Sequence, residues 1–220
     1  MRIFNPSGGN ALAEGLTYKL FSARECPPEV FRFRYEVYVE ELHRRQSFAD
    51  ETTRTIRDPL DESAVHSVVF KGDEVVGSVR INMLRDGGLW RYLDFYDICK
   101  LPPDEQATAC ICTRNMVRAD YRKTGVSVRM LKQIYEFGMR AGMTTCFMDV
   151  NEPLEKLFVK FGYKFQFRRE HPEYGMVAVY RLDVLDLDYL REVRSPFAPI
   201  CAEFLGRSDR ARAEPALAAE

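Results

Sequence analysis

The chain is short of most features that announce a function directly. Lys and Arg number 32 and Asp and Glu 33 in 220 residues, a net charge of -1, so no basic field calls for nucleic acid or an anionic membrane surface. No apolar run approaches the roughly 18 residues that would suggest a membrane span. Only three histidines occur, at 43, 66 and 171, far apart in sequence. The six cysteines (26, 99, 110, 112, 146 and 201) form no Cys-x-x-Cys pair and no framework spacing, so neither a zinc site nor a disulfide scaffold is expected. Cys110 and Cys112 share a strand face and Cys146 sits mid-strand, positions typical of buried free thiols. The first fifteen residues lack the apolar core of a secretory signal, so the expected compartment is the cytoplasm.

What is present is the balance of a globular domain, 46% hydrophobic and 30% charged. The length allows one large domain with small additions. Residues 1–15, rich in Gly, Asn and Ser, read as a flexible arm, 16–205 as a single domain, and 206–220 as a disordered tail with almost no large apolar side chain. No internal repeat is visible.

Residues 16–22 read as a first strand, and Pro27-Pro28 open a helix rich in apolar side chains. Residues 43–59 read as a polar loop or frayed helix over the surface. Strands 65–70 and 75–83 flank a Gly72-Asp73 turn, the pattern of a hairpin. The aromatic stretch 90–98 suits core packing, or else the lining of an apolar tunnel. Strand 110–118, helix 126–141 and strand 144–150 form a βαβ unit, followed by a short helix at 152–161. Two more strands, 163–167 and 176–182, and a closing helix at 185–194 complete the order. The fold class is mixed α/β (α+β), a mostly antiparallel sheet with a central parallel pair and flanking helices.

The turn that opens the second helix is the most informative point in the chain. Arg122-Lys123-Thr124-Gly125 lead into Val126 and Ser127, and no acid occupies the helix's first turn. Free amides and the positive end of the helix dipole converge there, Gly125 permits close backbone approach, and two cations flank it. Such a corner suits a phosphate; an ordinary surface turn fits the same residues.

That order and these residues resemble the GCN5-related N-acetyltransferase superfamily. Its R/Q-x-x-G-x-G/A loop is matched by residues 122–127, and its L-Y-x-K-x-G-F signature by residues 157–163. The N-terminal half is similar to the long-chain branch, the acyl-homoserine-lactone synthases and N-acyl amino acid synthases. Residues 34–38 match its R-x-x-V-F helix, Asp58 and Asp61 its D-x-x-D, residues 77–80 its G-x-x-R strand, and Thr113-Arg114 its Ser-Arg. The lactone synthases' glutamate falls at Ile111 and their tryptophan near Arg44, which points away from lactone synthesis. The general-acid tyrosine of many acetyltransferases falls at Phe158.

The resemblance implies transfer of an acyl group from acyl-CoA or an acyl carrier protein's phosphopantetheine thioester to the amine of a small molecule, an amino acid being favoured, with no metal. Met116, Val117 and Arg118 would run beside the pantetheine arm, and Arg122, Lys123, Thr124, Gly125, Val126 and Ser127 would hold its phosphate. Candidate bases are Glu40, Asp61 and Asp149, with Arg114 also in the catalytic set. Arg34, Arg80 and Arg114 could fix a substrate carboxylate, with Asp58 and Thr113 beside them. Equally, Asp58, Asp61 and the three arginines could be a structural ion-pair network. Rival functions are a short-chain acetyltransferase, a lactone synthase and a non-catalytic acyl-thioester-binding module.

Overall fold

The computed structural model describes residues 15–213. The expected arm therefore lies outside the described residues except for Gly15, as do residues 214–220 of the expected tail. The elements are β1 (Leu16–Ser22), α1 (Glu29–Tyr35), β2 (Ala49–Asp50), β3 (Thr55–Ile56), β4 (Val65–Lys71), β5 (Glu74–Met83), α2 (Tyr92–Phe95) and α3 (Pro103–Ala107). They continue with β6 (Ala109–Val117), α4 (Val126–Arg140), β7 (Thr145–Val150), α5 (Glu152–Phe161), β8 (Lys164–His171), β9 (Gly175–Asp183), α6 (Leu187–Glu192) and α7 (Ala198–Ala213).

Seven strands form one sheet in the order β1-β4-β5-β6-β7-β9-β8, antiparallel except for the parallel β6–β7 pair. The expected architecture is thus the observed one. The polar stretch 43–59 differs in detail, because β2 and β3 pair as a miniature hairpin within it.

Alternation along the strands builds a core on each face. Cys110 and Cys112 of β6, with Cys146 and Met148 of β7, point into the cluster under α4. Ala109, Ile111 and Phe147, from the same strands, join Tyr92, Tyr96 and Ile98 on the other face. Helix α4 buries Val126, Met130, Leu131, Ile134, Tyr135 and Met139, the spacing of a single helical stripe. Helix α1 covers the second face further along, where Val30, Phe33 and Tyr35 meet Val68, Val75 and Met116. It runs on into a wider π-type turn over Glu36–Glu41, in which the Leu42 amide reaches the Val37 carbonyl at 3.0 Å.

The expected tail begins inside a helix. Residues 206–213 continue α7, whose N-terminal part docks through Cys201 and the adjacent Phe197, the latter stacked on Tyr135 with ring centroids 4.1 Å apart. These few contacts are enough to anchor it despite its polar composition.

Candidate active site

The two parallel strands at the centre of the sheet pair at only three positions. The register runs Ala109↔Thr145, Cys110↔Cys146, Ile111↔Phe147 and then stops, although β6 continues to Val117 and β7 to Val150. Beyond Ile111 the β7-facing edge of β6 has no strand partner. A cavity of about 100 Å³ lies in the resulting fork. It is lined by residues 112–115 of β6, residues 148–151 at the end of β7, Leu154 and Phe158 of α5, and Tyr38, Arg44, Tyr92 and Tyr174.

A bulge in β6 shapes one wall. Ser78 faces Met116 but Arg80 faces Thr113, so β6 carries one extra residue there, and Arg114 takes a left-handed φ of 55°. A bulge re-aims the side chains around it. Arg114 Nη1 donates to Gln46 Oε1 at 2.6 Å and to the Tyr174 hydroxyl at 2.7 Å, while Nη2 donates to Asp58 at 3.0 Å.

Behind that wall lies a buried ionic network. Arg34 Nη1 donates to both Asp61 oxygens at 2.9 and 2.8 Å, and Arg80 Nη1 donates to Asp61 at 2.9 Å and to Asp58 at 2.5 Å. Arg80 Nε donates to the Thr113 hydroxyl at 3.1 Å. Glu173, 3.9 Å from Arg114, brings the carboxylates to three against three guanidiniums. Burial alone would raise the Asp61 carboxyl, but Arg34 and Arg80 outweigh it and hold it well below the usual carboxylate range. Asp58 is lowered by the same balance, with Arg80 and Arg114 as its cations.

These contacts sort the residues expected from sequence. Arg34 and Arg80 are completely buried, do not line the cavity, and tie the 28–62 segment to the sheet. Asp58 and Asp61 belong to the same tie. Asp61 does not line the cavity, and its oxygens accept from two guanidiniums and the Asp58 amide. Glu40 is exposed, paired with Arg54, and does not line the cavity. Thr113, Arg114 and Asp149 do line it. Asp149 accepts from the Tyr96 hydroxyl at 2.5 Å and has no cationic partner among the described residues.

The corner expected to hold a phosphate is an open helix start. Gly125 precedes α4 at φ 90°, no acid occupies the first turn, and no side chain caps it. Gly77 lets this end of the helix lie close to β5, since a Cβ there would stand 3.3 Å from Val126 Cγ1. The basic side chains are less free than their number suggests. Arg122 donates to the Val117 carbonyl at 2.9 Å and pairs with Glu41 at 2.5 Å. Arg118 is held by Asp120 at 2.9 Å and Glu74 at 2.8 Å, and its amide bonds the Val76 carbonyl. Lys123 is exposed with a φ of 64°. Thr124 Oγ1 donates to the Tyr121 carbonyl at 2.6 Å. Met116 and Val117 pair with β5, Met116 turning its side chain into the α1 cluster. Asn115 connects corner and cavity: it lines the cavity, its Nδ2 reaches Ser127 Oγ at 3.4 Å, and its buried Oδ1 has no hydrogen-bond partner.

Sequence reasoning missed the aromatic wall. Tyr174 stacks on His171 at 4.3 Å and on Tyr38 at 5.8 Å, and Arg44 lies over its ring at 5.3 Å. Tyr174 sits in what reads as a plain turn, Tyr38 in a helical apolar stripe and Tyr92 in a core-like aromatic run. No local pattern marks them; only the fold brings them together. Among the described residues no cluster of His, Cys, Asp or Glu could hold a metal ion, and no helix is long and apolar enough to cross a membrane.

A family model described as N-acyl amino acid synthase FeeM matches residues 29–180, more than half of the chain. Among solved structures, the CoA-dependent acyl-homoserine lactone synthase MesI superposes with a TM-score of 0.62 at 19% identity, over 81% of this chain and 93% of that one. FeeM, an N-acyl amino acid synthase from uncultured soil microbes, gives a TM-score of 0.59 at 12% identity over 84% and 97%. An acyl-CoA N-acyltransferase from Pseudomonas aeruginosa gives a TM-score of 0.55 at 12% identity over 76% and 99%. At these identities the structural likeness shows the fold. No curated protein sequence matches the chain.

Proposed function

Since the chain belongs to the N-acyl amino acid synthase FeeM family, and is therefore an acyltransferase moving an acyl group from a thioester to an amine, we propose that the transfer takes place in the β6–β7 fork and that the acceptor is an amino acid. The observation that carries this reading is the fork itself: an unpaired strand edge and a carboxyl side chain, Asp149, face one cavity that Asn115 links to the uncapped start of α4. A donor whose phosphate lies against the first amides of α4, with Lys123 beside them, can run its arm along the open edge of β6 and bring its thioester to the cavity.

Asp149 is the base that this geometry favours. The incoming ammonium gives one proton to Asp149, directly or through water, and its nitrogen attacks the thioester carbonyl. The carbon–sulfur bond then breaks, and one of the two protons left on nitrogen goes to the departing thiolate, the other staying as the amide N–H. A thiol is acidic enough to leave without a strong proton donor, so Phe158 in place of a tyrosine is no obstacle. Direct transfer is also supported by Cys112, the thiol on the cavity wall, which burial pushes well above its ordinary range and so keeps protonated and unreactive. Holding the two reactants in line supplies the rest.

The test is to combine the purified protein with acyl-CoAs of graded length and pooled amino acids, following thiol release and identifying products by mass spectrometry. N-acyl amino acid and free thiol are expected in equal amounts. Best use of acetyl-CoA would mark a short-chain enzyme, and a bound thioester without thiol release a non-catalytic module. Asp149→Asn is expected to fold normally and lose about 10²- to 10⁴-fold in turnover. Asp61→Asn is expected to lose about 3–5 kcal/mol of stability, because it leaves two buried guanidiniums under-compensated.

A further inference from the structure

The charges around the cavity do not balance from within the protein. Three ionic side chains line it: Arg44, Arg114 and Asp149. Arg114 is compensated by Asp58 at 3.0 Å and Glu173 at 3.9 Å. Arg44 has no acidic partner among the described residues; its guanidinium lies over the Tyr174 ring, half-buried, with its backbone amide fixed to the Tyr38 carbonyl at 2.8 Å. Asp149 is held only by a neutral donor, the Tyr96 hydroxyl. One cavity therefore presents one uncompensated cation and one uncompensated anion. A ligand of single charge would satisfy one and leave the other, whereas a small zwitterion satisfies both.

We propose that Arg44 is the residue that selects the acceptor, binding the free carboxylate of an amino acid whose amino nitrogen is held at Asp149. The proposal deepens the reading of this cavity as the acceptor site and rests on it. Arg34, Arg80 and Arg114, the arginines that the sequence offers for this role, are consumed by buried carboxylates or by Gln46 and Tyr174. Arg44 keeps its planar fork of donors available, and its stacking on Tyr174 restricts the side chain before any ligand arrives, so little further order is lost on binding. The consequence is selection by the carboxylate: amines lacking one leave Arg44 unanswered in a half-buried site.

The experiment measures binding of each of the twenty standard amino acids and its carboxamide to the wild-type protein by ligand-observed NMR, then repeats it with Arg44→Ala and Arg44→Lys. The parallel kinetic arm uses the acyl-CoA and amino acid that turn over best. The expected result is that the acids bind and the carboxamides bind about 10- to 100-fold more weakly, the range set by charge-assisted hydrogen bonds. Arg44→Ala removes that preference, raising the acceptor KM by a similar factor while the donor KM holds; Arg44→Lys retains part of it. Equal binding of acid and carboxamide, an unchanged preference in Arg44→Ala, or a rise confined to the donor KM overturns the proposal. Because the binding arm needs no acyl donor, absence of turnover with a carboxylate preference intact would count against the acyltransferase reading alone. Thermal melting of Arg44→Ala at the wild-type temperature is expected, since the side chain is only half-buried and forms no ion pair.

Discussion

His66 shows how strongly the buried network conditions a single side chain. Its ring is fully buried on β4, and Arg34 Nη2, always a donor, lies 3.3 Å from Nδ1, so the ring proton sits on Nε2, 3.7 Å from Asp61. Burial first, and the Arg34 charge second, push its pKa down to about 3 from 6.5. Between those values the unfolded chain takes up a proton that the folded one refuses. Stability therefore falls as pH falls through that window, by up to about 1.4 kcal/mol per pH unit. Asp58 and Asp61, whose carboxyls are lowered on folding, add a further loss below the ordinary carboxylate range, where only their unfolded forms become neutral. Urea unfolding of wild type and His66→Gln at pH 7, 5.5 and 4.5 is expected to show a flatter profile in the variant, and identical profiles would show that the slope comes from elsewhere. The sequence exposed Asp58, Asp61, Arg34, Arg80 and Arg114 and offered them two roles, substrate contact or structural tie, without choosing. An arginine that binds substrate and one that ties two segments have the same local sequence; burial decides between them.

At the scale of elements, the approach of α4 to β5 can be tested through Gly77. Its missing Cβ lets Val126 and Met130 pack against the strand, and Val126 is the first residue of the helix whose amides are proposed to hold the donor's phosphate. Gly77→Val is expected to cost about 1–3 kcal/mol by overpacking and to shift the first turn of α4. The donor KM should then rise while acceptor binding is unchanged; a loss of stability with both constants intact would separate the corner from donor binding. The βαβ unit was legible because helical and strand periodicities alternate cleanly there and glycines punctuate them. Helix α7 was not, because apart from the buried Cys201 its few apolar residues, Ile200, Phe204 and Leu205, pack only partly against the core and the rest of its composition is that of a tail. The aromatic wall was equally hidden, since Tyr38 and Tyr174 lie 136 positions apart and meet only through the sheet order.

For the molecule as a whole, the central feature is that its sheet is continuous at one end of the β6–β7 seam and open at the other. Antiparallel pairing on the outer sides, β5 with β6 and β7 with β9, holds the two strands apart without the seam having to close. An unzipped seam has a spectroscopic signature that needs no turnover. Amide protons on the free edge of β6 between Cys112 and Val117 should trade for deuterium far faster than those of Cys110 and Ile111 a few residues away, and a thioester lying along that edge should slow them. The fork would then report its own occupancy, and a donor could be ranked by deuterium uptake before any product is known.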